Sequence, residues 1–204
     1  MKTLSFAGAV VASVALAGSS LAQEDLTHDP NQAQAGHYVV EPRHTRVLFS
    51  VLHFGYTHYY GDFIGASGTL DIDPRHVEAA QLSVSIPMAS VSTTNATLDG
   101  ELKGAGWFDA AKYPNMTFVS RHVTRTGPTT AKVEGDLTLH GVTHPVTLDV
   151  SFNAAGLNPL DRHYTAGFDA TGTLKRSDFG VKSFVPLIGD DVNIIISAAF
   201  ERQS

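Results

Sequence analysis

The fold is decided by the stretch RVLFSVLHF, residues 46–54. Its odd-numbered positions, from Val47 to His53, share one face of an extended chain and are apolar except for the histidine. Alternation at a period of two, with β-branched and aromatic side chains, predicts a β-strand. Leu48 and Leu52 make the opposite face partly apolar as well. We therefore expect this strand to be covered on both faces over part of its length.

Seven further segments resemble this stretch in residue type and spacing. They are Thr69–Asp73, Gln81–Pro87, Met116–Thr124, Ala131–Leu139, Val146–Phe152, Thr165–Leu174 and Asp191–Phe200. Segments rich in Gly, Pro, Asn and Asp separate many of them, as expected of turns. The chain is therefore predicted to be all-β, with eight strands.

One segment has helical rather than alternating spacing. Leu98 and Leu102 are four residues apart, and Thr94 or Asn95 stands where a helix cap is expected. Glycines follow at 104 and 106, and glycine commonly ends a helix. A short helix is predicted over Leu98–Gly104, inserted between strands.

Eight antiparallel strands with short turns favour closure into a barrel, because closure removes exposed strand edges. A barrel of this size either fills with side chains or holds one small ligand. Bulky residues such as Phe49 and Phe118 alternate on the predicted inner stripes with small ones such as Gly135 and Gly172. The small residues favour an apolar cavity. A tapering barrel that packs solidly mixes sizes in the same way, so a filled structural or stress-response barrel stays open as an alternative.

The chain begins with the three parts of a secretory signal. A basic start at Lys2 precedes an apolar run over residues 4–16, and small residues precede Gln23. The run is shorter than the ~20 residues that cross a bilayer. We expect residues 1–22 to be a signal peptide cleaved after Ala22, so that the mature chain is exported and has no integral membrane segment. Residues 23–36 are expected to form a flexible lead before the domain at 37–202.

Composition limits the possible functions. The 204 residues include 20 acidic and 14 basic side chains, with a formal net charge of −6. Nucleic-acid binding needs a basic face, so it is not expected. Cysteine is absent, which excludes disulfides, thiolate metal sites and a thiol nucleophile.

The ten histidines raise two other possibilities. His53 and His58, and His140 and His144, are close pairs that could bind a metal or haem if they converged. His53 or His140 could instead serve as the base of an enzyme acting on a small amphiphile. Neither pair has a regular ligand spacing and no catalytic motif is present, so we expect no metal, no cofactor other than a bound lipid, and no catalysis.

A polar segment at 175–180, Lys-Arg-Ser-Asp-Phe-Gly, follows a predicted strand. One interpretation is a turn with a local ion pair, which contributes less than ~1 kcal/mol when exposed. The other is that Arg176 and Asp178 close one end of the barrel.

Taken together, these segments resemble the YceI family, the lipocalin-like polyisoprenoid-binding proteins of bacteria. The resemblance extends over about residues 37–200, and the segment at 135–146 is its most specific part. The matching segments are Tyr38–Thr45, Val47–Tyr56, Tyr60–Phe63, Gly68–Leu70, Trp107–Ser120, Gly135–Val146, Gly167–Phe168 and Arg176–Val181.

The resemblance implies an eight-stranded antiparallel barrel with a long apolar tunnel, often in a homodimer. It implies a periplasmic protein that binds, stores or transports an isoprenoid lipid, such as a quinone or a polyprenyl chain, or a similar amphiphile, without catalysis. The inward positions on the matching strands are expected to line the tunnel: Val47, Phe49, Val51, Phe63, Leu70, Val84, Ile86, Phe118, Leu137, Leu148, Phe168 and Ile194. A polar headgroup would need a donor or a stacking ring at the tunnel mouth, and His53, Tyr60, Trp107 and Arg176 are expected there.

Overall fold

The computed structural model describes residues 26–203, which form ten strands and one α-helix. The strands are β1 Leu26–Thr27, β2 Gly36–His53, β3 Thr57–Phe63, β4 Ser67–Ile72, β5 Gln81–Pro87, β6 Asn115–Arg125, β7 Thr130–Leu139, β8 Val142–Leu157, β9 Tyr164–Lys175 and β10 Ile188–Arg202. The helix α1 spans Ala96–Lys103, and short 3-10 turns lie at Pro30–Gln32, Val77–Ala79, Met88–Ser90 and Arg176–Phe179.

Eight strand positions close into an antiparallel barrel. The order around the barrel is β2, β4, β5, β6, β7, β8, β9 and β10, and β10 pairs again with β2. The early part of β2 pairs with β4, whereas its later part, Val47–His53, pairs with β3. β3 and β4 thus share one position as an interrupted strand. The predicted eight-stranded lipocalin-like barrel is confirmed, although β2 begins at Gly36, ten residues before the predicted strand.

β2 has an irregular segment between Glu41 and Arg46, where its register with β10 shifts and between the parts that pair with β4 and β3. The Glu41 carboxylate accepts backbone hydrogen bonds from Arg43 and His44, at 3.1 and 2.8 Å. The Thr45 hydroxyl and the backbone of Ala199 exchange hydrogen bonds where the register with β10 shifts. Partial burial favours protonated Glu41, but the hydrogen bonds from Arg43 and His44 outweigh burial and lower the Glu41 pKa.

The helix lies in the connection between β5 and β6. Asn95 caps it by accepting from the backbone N–H groups of Thr97 and Leu98, and Leu102 is buried against the core. Just before it, the backbone of Ser92 exchanges two hydrogen bonds with Asp62 of β3, at 2.8 and 3.0 Å. The connection therefore covers the free edge of β3. The predicted helix is confirmed, with its start at Ala96 rather than at Leu98.

The prediction of a flexible lead at 23–36 is wrong for the residues that the structure describes. β1 pairs with β8, Ala33 packs against the hydrophobic core, and the Tyr38 hydroxyl donates to the Gln34 carbonyl at 2.6 Å. Polar composition misled the prediction, because a few apolar residues suffice to dock a short segment. The predicted signal peptide, residues 1–22, lies outside the described residues. Within 26–203, no helix combines the length and hydropathy needed to cross a bilayer.

Candidate ligand-binding cavity

The barrel interior contains two apolar chambers in line. The lower chamber, of about 220 Å³, lies at the end where β2 begins. The upper chamber, of about 200 Å³, lies at the end with the turn between β2 and β3. Five side chains line both chambers and form a waist between them: Val47, Ile86, Phe118, Leu148 and Ile196. The two chambers therefore lie end to end and share the waist.

Alanines create much of the space in the lower chamber. Ala166 and Ala170 on β9, Ala198 on β10 and Ala66 just before β4 all line it. On one side, Phe168 packs edge-on against Phe152 and Phe200, with ring centroids 5.6 and 5.9 Å apart. This chamber offers an incoming chain mainly methyl groups and aromatic rings.

Two of the polar side chains of the lower chamber, Arg125 and Tyr38, bond to backbone carbonyls. Arg125 donates to the carbonyls of Pro74 and Pro128, at 2.6 and 3.4 Å, and so connects two loops that cover this end. The Tyr38 hydroxyl donates to Gln34. Burial, with a smaller contribution from Tyr164, raises the pKa of Tyr38 to about 12, so the phenol stays neutral.

The glycines expected to make room for a ligand have another role. A Cβ at Gly135 would overlap the ring of Phe118 and the carbonyl of Val119. A Cβ at Gly172 would come within 2.9 Å of Leu148 Cδ2. Gly135 and Gly172 therefore make room for two waist side chains rather than for a ligand.

The upper chamber is bounded by large aromatic residues. Phe63 packs against Phe49 and Phe108, with ring centroids 5.5 and 5.7 Å apart. Trp107, in the loop after α1, also lines the chamber. The connection that covers the edge of β3 thus supplies part of the chamber wall.

Two polar rings face into the upper chamber, His53 at the end of β2 and Tyr59 on β3. Both are half-buried, and their ring centroids are 5.8 Å apart. The hydrogen bonds made within residues 26–203 leave the imidazole nitrogens and the phenolic hydroxyl without a protein partner. In the upper chamber, this pair is the polar feature that is free to interact with a ligand.

Arg176 lines the same chamber, but its guanidinium is occupied. It donates to the carbonyls of Val181, Ser183, Ile188 and Gly189, at 2.8 to 3.0 Å. The guanidinium carbon of Arg176 lies 5.4 Å from the centroid of the Trp107 ring. Burial lowers the pKa of Arg176, against the opposing effect of Asp190. Backbone carbonyls take four of its five N–H groups, so Arg176 is not the free headgroup donor that was expected here.

The alternative interpretation, that Arg176 closes one end of the barrel, agrees with these contacts. Asp178, the acidic residue predicted to close this end together with Arg176, is exposed and does not take that role. Asp190 lies there instead, and it accepts from the backbone N–H and hydroxyl of Ser177 at 2.9 and 2.7 Å.

Tyr60 was expected at the mouth and is the clearest error. It lies opposite Ser50 in the register of β2 and β3, on the outer face, and its exposed fraction is 62%. Tyr59, opposite Val51, takes the inward position. The turn at 54–56 sets this register, and its length does not follow from the alternation of either strand alone.

The other fifteen expected residues line the cavity. The waist includes Val47, Ile86, Phe118 and Leu148; the upper chamber adds Phe49, Val51, His53, Phe63, Trp107, Leu137, Arg176 and Ile194; the lower chamber adds Leu70, Val84 and Phe168. The alternation of each strand was the signal that found most of them. Tyr59 and the lead residues Pro30, Ala33 and Gln34 were missed, although they line the cavity as well.

The histidine pairs show no shared metal geometry. His53 faces inward and His58 pairs with Leu52 on the opposite face. His140 packs edge-on against Tyr113, and His144 against Phe179.

A separate surface group brings Asp161, His163 and Glu201 together. His163 Nδ1 lies 3.1 Å from the Glu201 carboxylate. Asp161 and His163 are exposed. These contacts describe an ordinary surface ion pair.

Exposed apolar side chains surround the upper end of the barrel. Phe54, Phe184 and Leu187 are exposed by 48, 63 and 61%. The Phe54 N–H donates to the Leu187 carbonyl at 3.0 Å, and the Phe184 ring lies 6.2 Å from that of Trp107. We call these three residues the apolar rim. It adjoins the wall of the upper chamber, so its position indicates contact with a ligand or an apolar surface.

A closed eight-stranded antiparallel barrel around an elongated apolar cavity defines the class of lipocalin-like binding barrels. The chain matches the YceI-like domain over residues 38–200, and it belongs to the YceI-like family.

Relatives and solved structures agree with this assignment. A UPF0312 protein of Pseudomonas savastanoi pv. phaseolicola is 42% identical over 153 residues, which cover 74% of this chain and 79% of the relative. BcnA of Burkholderia cenocepacia has a similar structure, with a TM-score of 0.71, 26% identity, and coverage of 78% of this chain and 98% of BcnA. A polyisoprenoid binding domain of Saccharophagus degradans shares the fold, with a TM-score of 0.63, 15% identity, and coverage of 83% and 100%.

Proposed function

We propose that this protein binds one isoprenoid lipid, a quinone or a polyprenyl chain, and stores or carries it without catalysis. The observation that supports this most strongly is the pair of apolar chambers in line, joined at the waist. An elongated space of this kind suits an extended hydrocarbon chain with methyl branches better than a compact ligand. Membership of the YceI-like family supports the same function.

The energetic basis is burial of the tail. Apolar surface removed from water contributes roughly 25 cal/mol per Å², so a long tail inside the barrel is strongly stabilised relative to water. The lining supplies that surface, and most polar groups within it are bonded to the protein itself. The filled-barrel alternative is disfavoured by the chambers.

Entry of the lipid is assigned to the upper end. The apolar rim lies there, beside the half-buried pair His53 and Tyr59. The rim would shield the tail during transfer. The lower end is covered by loops that Arg125 connects.

Binding is favoured over catalysis by the surroundings of His53. Its ring contacts the rings of Phe54 and Tyr59, at centroid distances of 4.4 and 5.8 Å. A catalytic histidine normally has a group that orients it, such as a carboxylate. Periplasmic location and a homodimer stay predictions.

The decisive experiment is organic extraction of untagged protein purified from its own cells, followed by mass spectrometry. We expect about one isoprenoid lipid for each barrel. Delipidated protein should then rebind that lipid in titrations followed by the fluorescence of Trp107, the single tryptophan of the chain. Failure to recover any long-chain lipid, together with failure to bind one in titration, would refute the proposal.

A further inference from the structure

We infer that the cavity selects isoprenoids with an uncharged, hydrogen-bonding headgroup, held by His53 and Tyr59, and discriminates against phosphorylated ones. This inference rests on the proposed function and specifies the ligand class of the same cavity. Three observations carry it: the bonding of the arginines to loop carbonyls, the free polar pair, and the balanced charges at the upper end.

The lining contains two arginines and no lysine. Arg176 donates to four backbone carbonyls in the upper end, and Arg125 to two in the lower end. A phosphate inside an apolar cavity needs charge-assisted hydrogen bonds to replace its water. Arg176 has one of its five N–H groups left over and would have to release a loop carbonyl to hold a phosphate with two hydrogen bonds. Arg125 lies in the lower chamber, away from the polar pair.

His53 and Tyr59 suit a neutral headgroup instead. A neutral imidazole offers one donor and one acceptor, and a phenol offers both. Such a pair can bond a quinone carbonyl or an alcohol without a net charge. The rings also give the headgroup two flat apolar faces, since their centroids are 5.8 Å apart.

The charges at this end of the barrel are balanced. β10 carries a bulge between Ile188, which lies opposite His53, and Val192, which lies opposite Val51. Asp190 and Asp191 are the acidic residues of that bulge. Hydrogen bonds from Ser177 lower the Asp190 pKa despite its partial burial, so this carboxylate is ionised at neutral pH. Lys175 and Arg176 also lie close enough to lower the Asp190 pKa, so the acidic and basic side chains here balance and leave no excess positive charge to attract a phosphate.

The test compares ligands with the same tail. Delipidated protein is titrated with geranylgeraniol, geranylgeranyl phosphate and a quinone that carries a four-unit tail, below their aggregation concentrations and with Trp107 fluorescence as the signal. We expect the alcohol and the quinone to bind at least tenfold more tightly than the phosphate. Equal or tighter binding of the phosphate would overturn the charge selection and leave the proposed function intact. If none of the three binds, the proposed function itself fails.

The position of the headgroup is tested by four variants in two matched pairs. His53→Phe and Tyr59→Phe remove inward polar atoms, whereas His58→Phe and Tyr60→Phe make the same changes on the outer face. We expect each inward variant to weaken quinone binding by 5- to 30-fold and to leave binding of a tail without a polar head, such as squalene, unchanged. The outward variants should match the wild type for both ligands.

Two results would overturn the assignment to His53 and Tyr59. One is equal quinone affinity in the inward and outward variants. The other is an equal loss for quinone and squalene, because that loss would report damage to the cavity rather than to headgroup binding.

Discussion

The two ends of the barrel use the same kinds of residue differently. At the lower end, a tyrosine and an arginine face the cavity, and Tyr38 and Arg125 both bond to backbone carbonyls. At the upper end, Arg176 is engaged in the same way, but His53 and Tyr59 keep their polar atoms free. The difference indicates a direction for the ligand, with the tail towards the lower chamber and the headgroup in the upper one.

The largest effect is expected from the arginines that hold the loops at each end. Arg176→Met removes four hydrogen bonds to carbonyls and the contact with Trp107, so we expect a loss of about 3 kcal/mol or more in the free energy of unfolding. Arg125→Met removes two and should cost about half as much. Arg176→Lys should recover little, because one ammonium cannot replace the planar guanidinium fork.

Denaturant unfolding of these variants measures the difference. Lys175→Met is the control, since Lys175 is exposed and pairs only with Asp191 on the surface; its unfolding midpoint should match the wild type. Equal effects of Arg176→Met and Arg125→Met would contradict the stronger role assigned to the upper arginine.

The next effect concerns tail length. Ala170→Phe places a ring in the lower chamber, which Ala170 lines. Each buried CH₂ contributes about 0.8 kcal/mol, so exclusion of a few carbons should reduce affinity for an eight-unit isoprenoid by about 100-fold. We expect a three-unit isoprenoid to be held in the upper chamber and to keep its affinity.

Thr171→Phe, one residue along the same strand and exposed, is the matched control. It should bind both tails as the wild type does. Equal losses for the short and the long tail in Ala170→Phe would place the whole ligand, rather than its far end, in the lower chamber.

A smaller effect is expected at the waist. Gly135→Ala puts a methyl group against the Phe118 ring and a backbone carbonyl, and overpacking of this kind costs about 1–3 kcal/mol. Gly100→Ala provides the control, because its Cβ would meet nothing within 4 Å and alanine favours a helix interior by about 0.8–1 kcal/mol. The midpoint temperature of thermal unfolding should therefore fall for Gly135→Ala and rise for Gly100→Ala. A neutral Gly135→Ala would mean that Phe118 can move without cost.

The sequence predicted the walls of the cavity better than its ends. Alternation along a strand decides which side chains point inward, so Phe49 and Ile194 could be located without a structure. Tyr60 was misplaced because its orientation depends on the turn at 54–56, which alternation does not reveal. Arg176 was correctly placed in the cavity and wrongly given a free guanidinium, since its partners are carbonyls of a loop that has no periodic pattern.

The smallest expected effect is a pH dependence of the stability of the upper end of the barrel. Burial of the Asp190 carboxyl favours its protonated form, but hydrogen bonds from Ser177, with Lys175 and Arg176 nearby, outweigh burial and lower its pKa in the folded state. A lowered folded-state pKa stabilises the fold above the ordinary carboxyl pKa of about 3.9, and that contribution disappears as pH falls through the folded-state value.

Asp190→Asn should therefore lower the unfolding midpoint at pH 7, and its difference from the wild type should shrink steadily below pH 4. Asp178→Asn, in the same region but exposed, should follow the wild type throughout. A difference for Asp190→Asn that stays constant down to pH 2 would show that the amide disturbs packing at the upper end, and that the charge of Asp190 contributes nothing to the fixed position of Ser177.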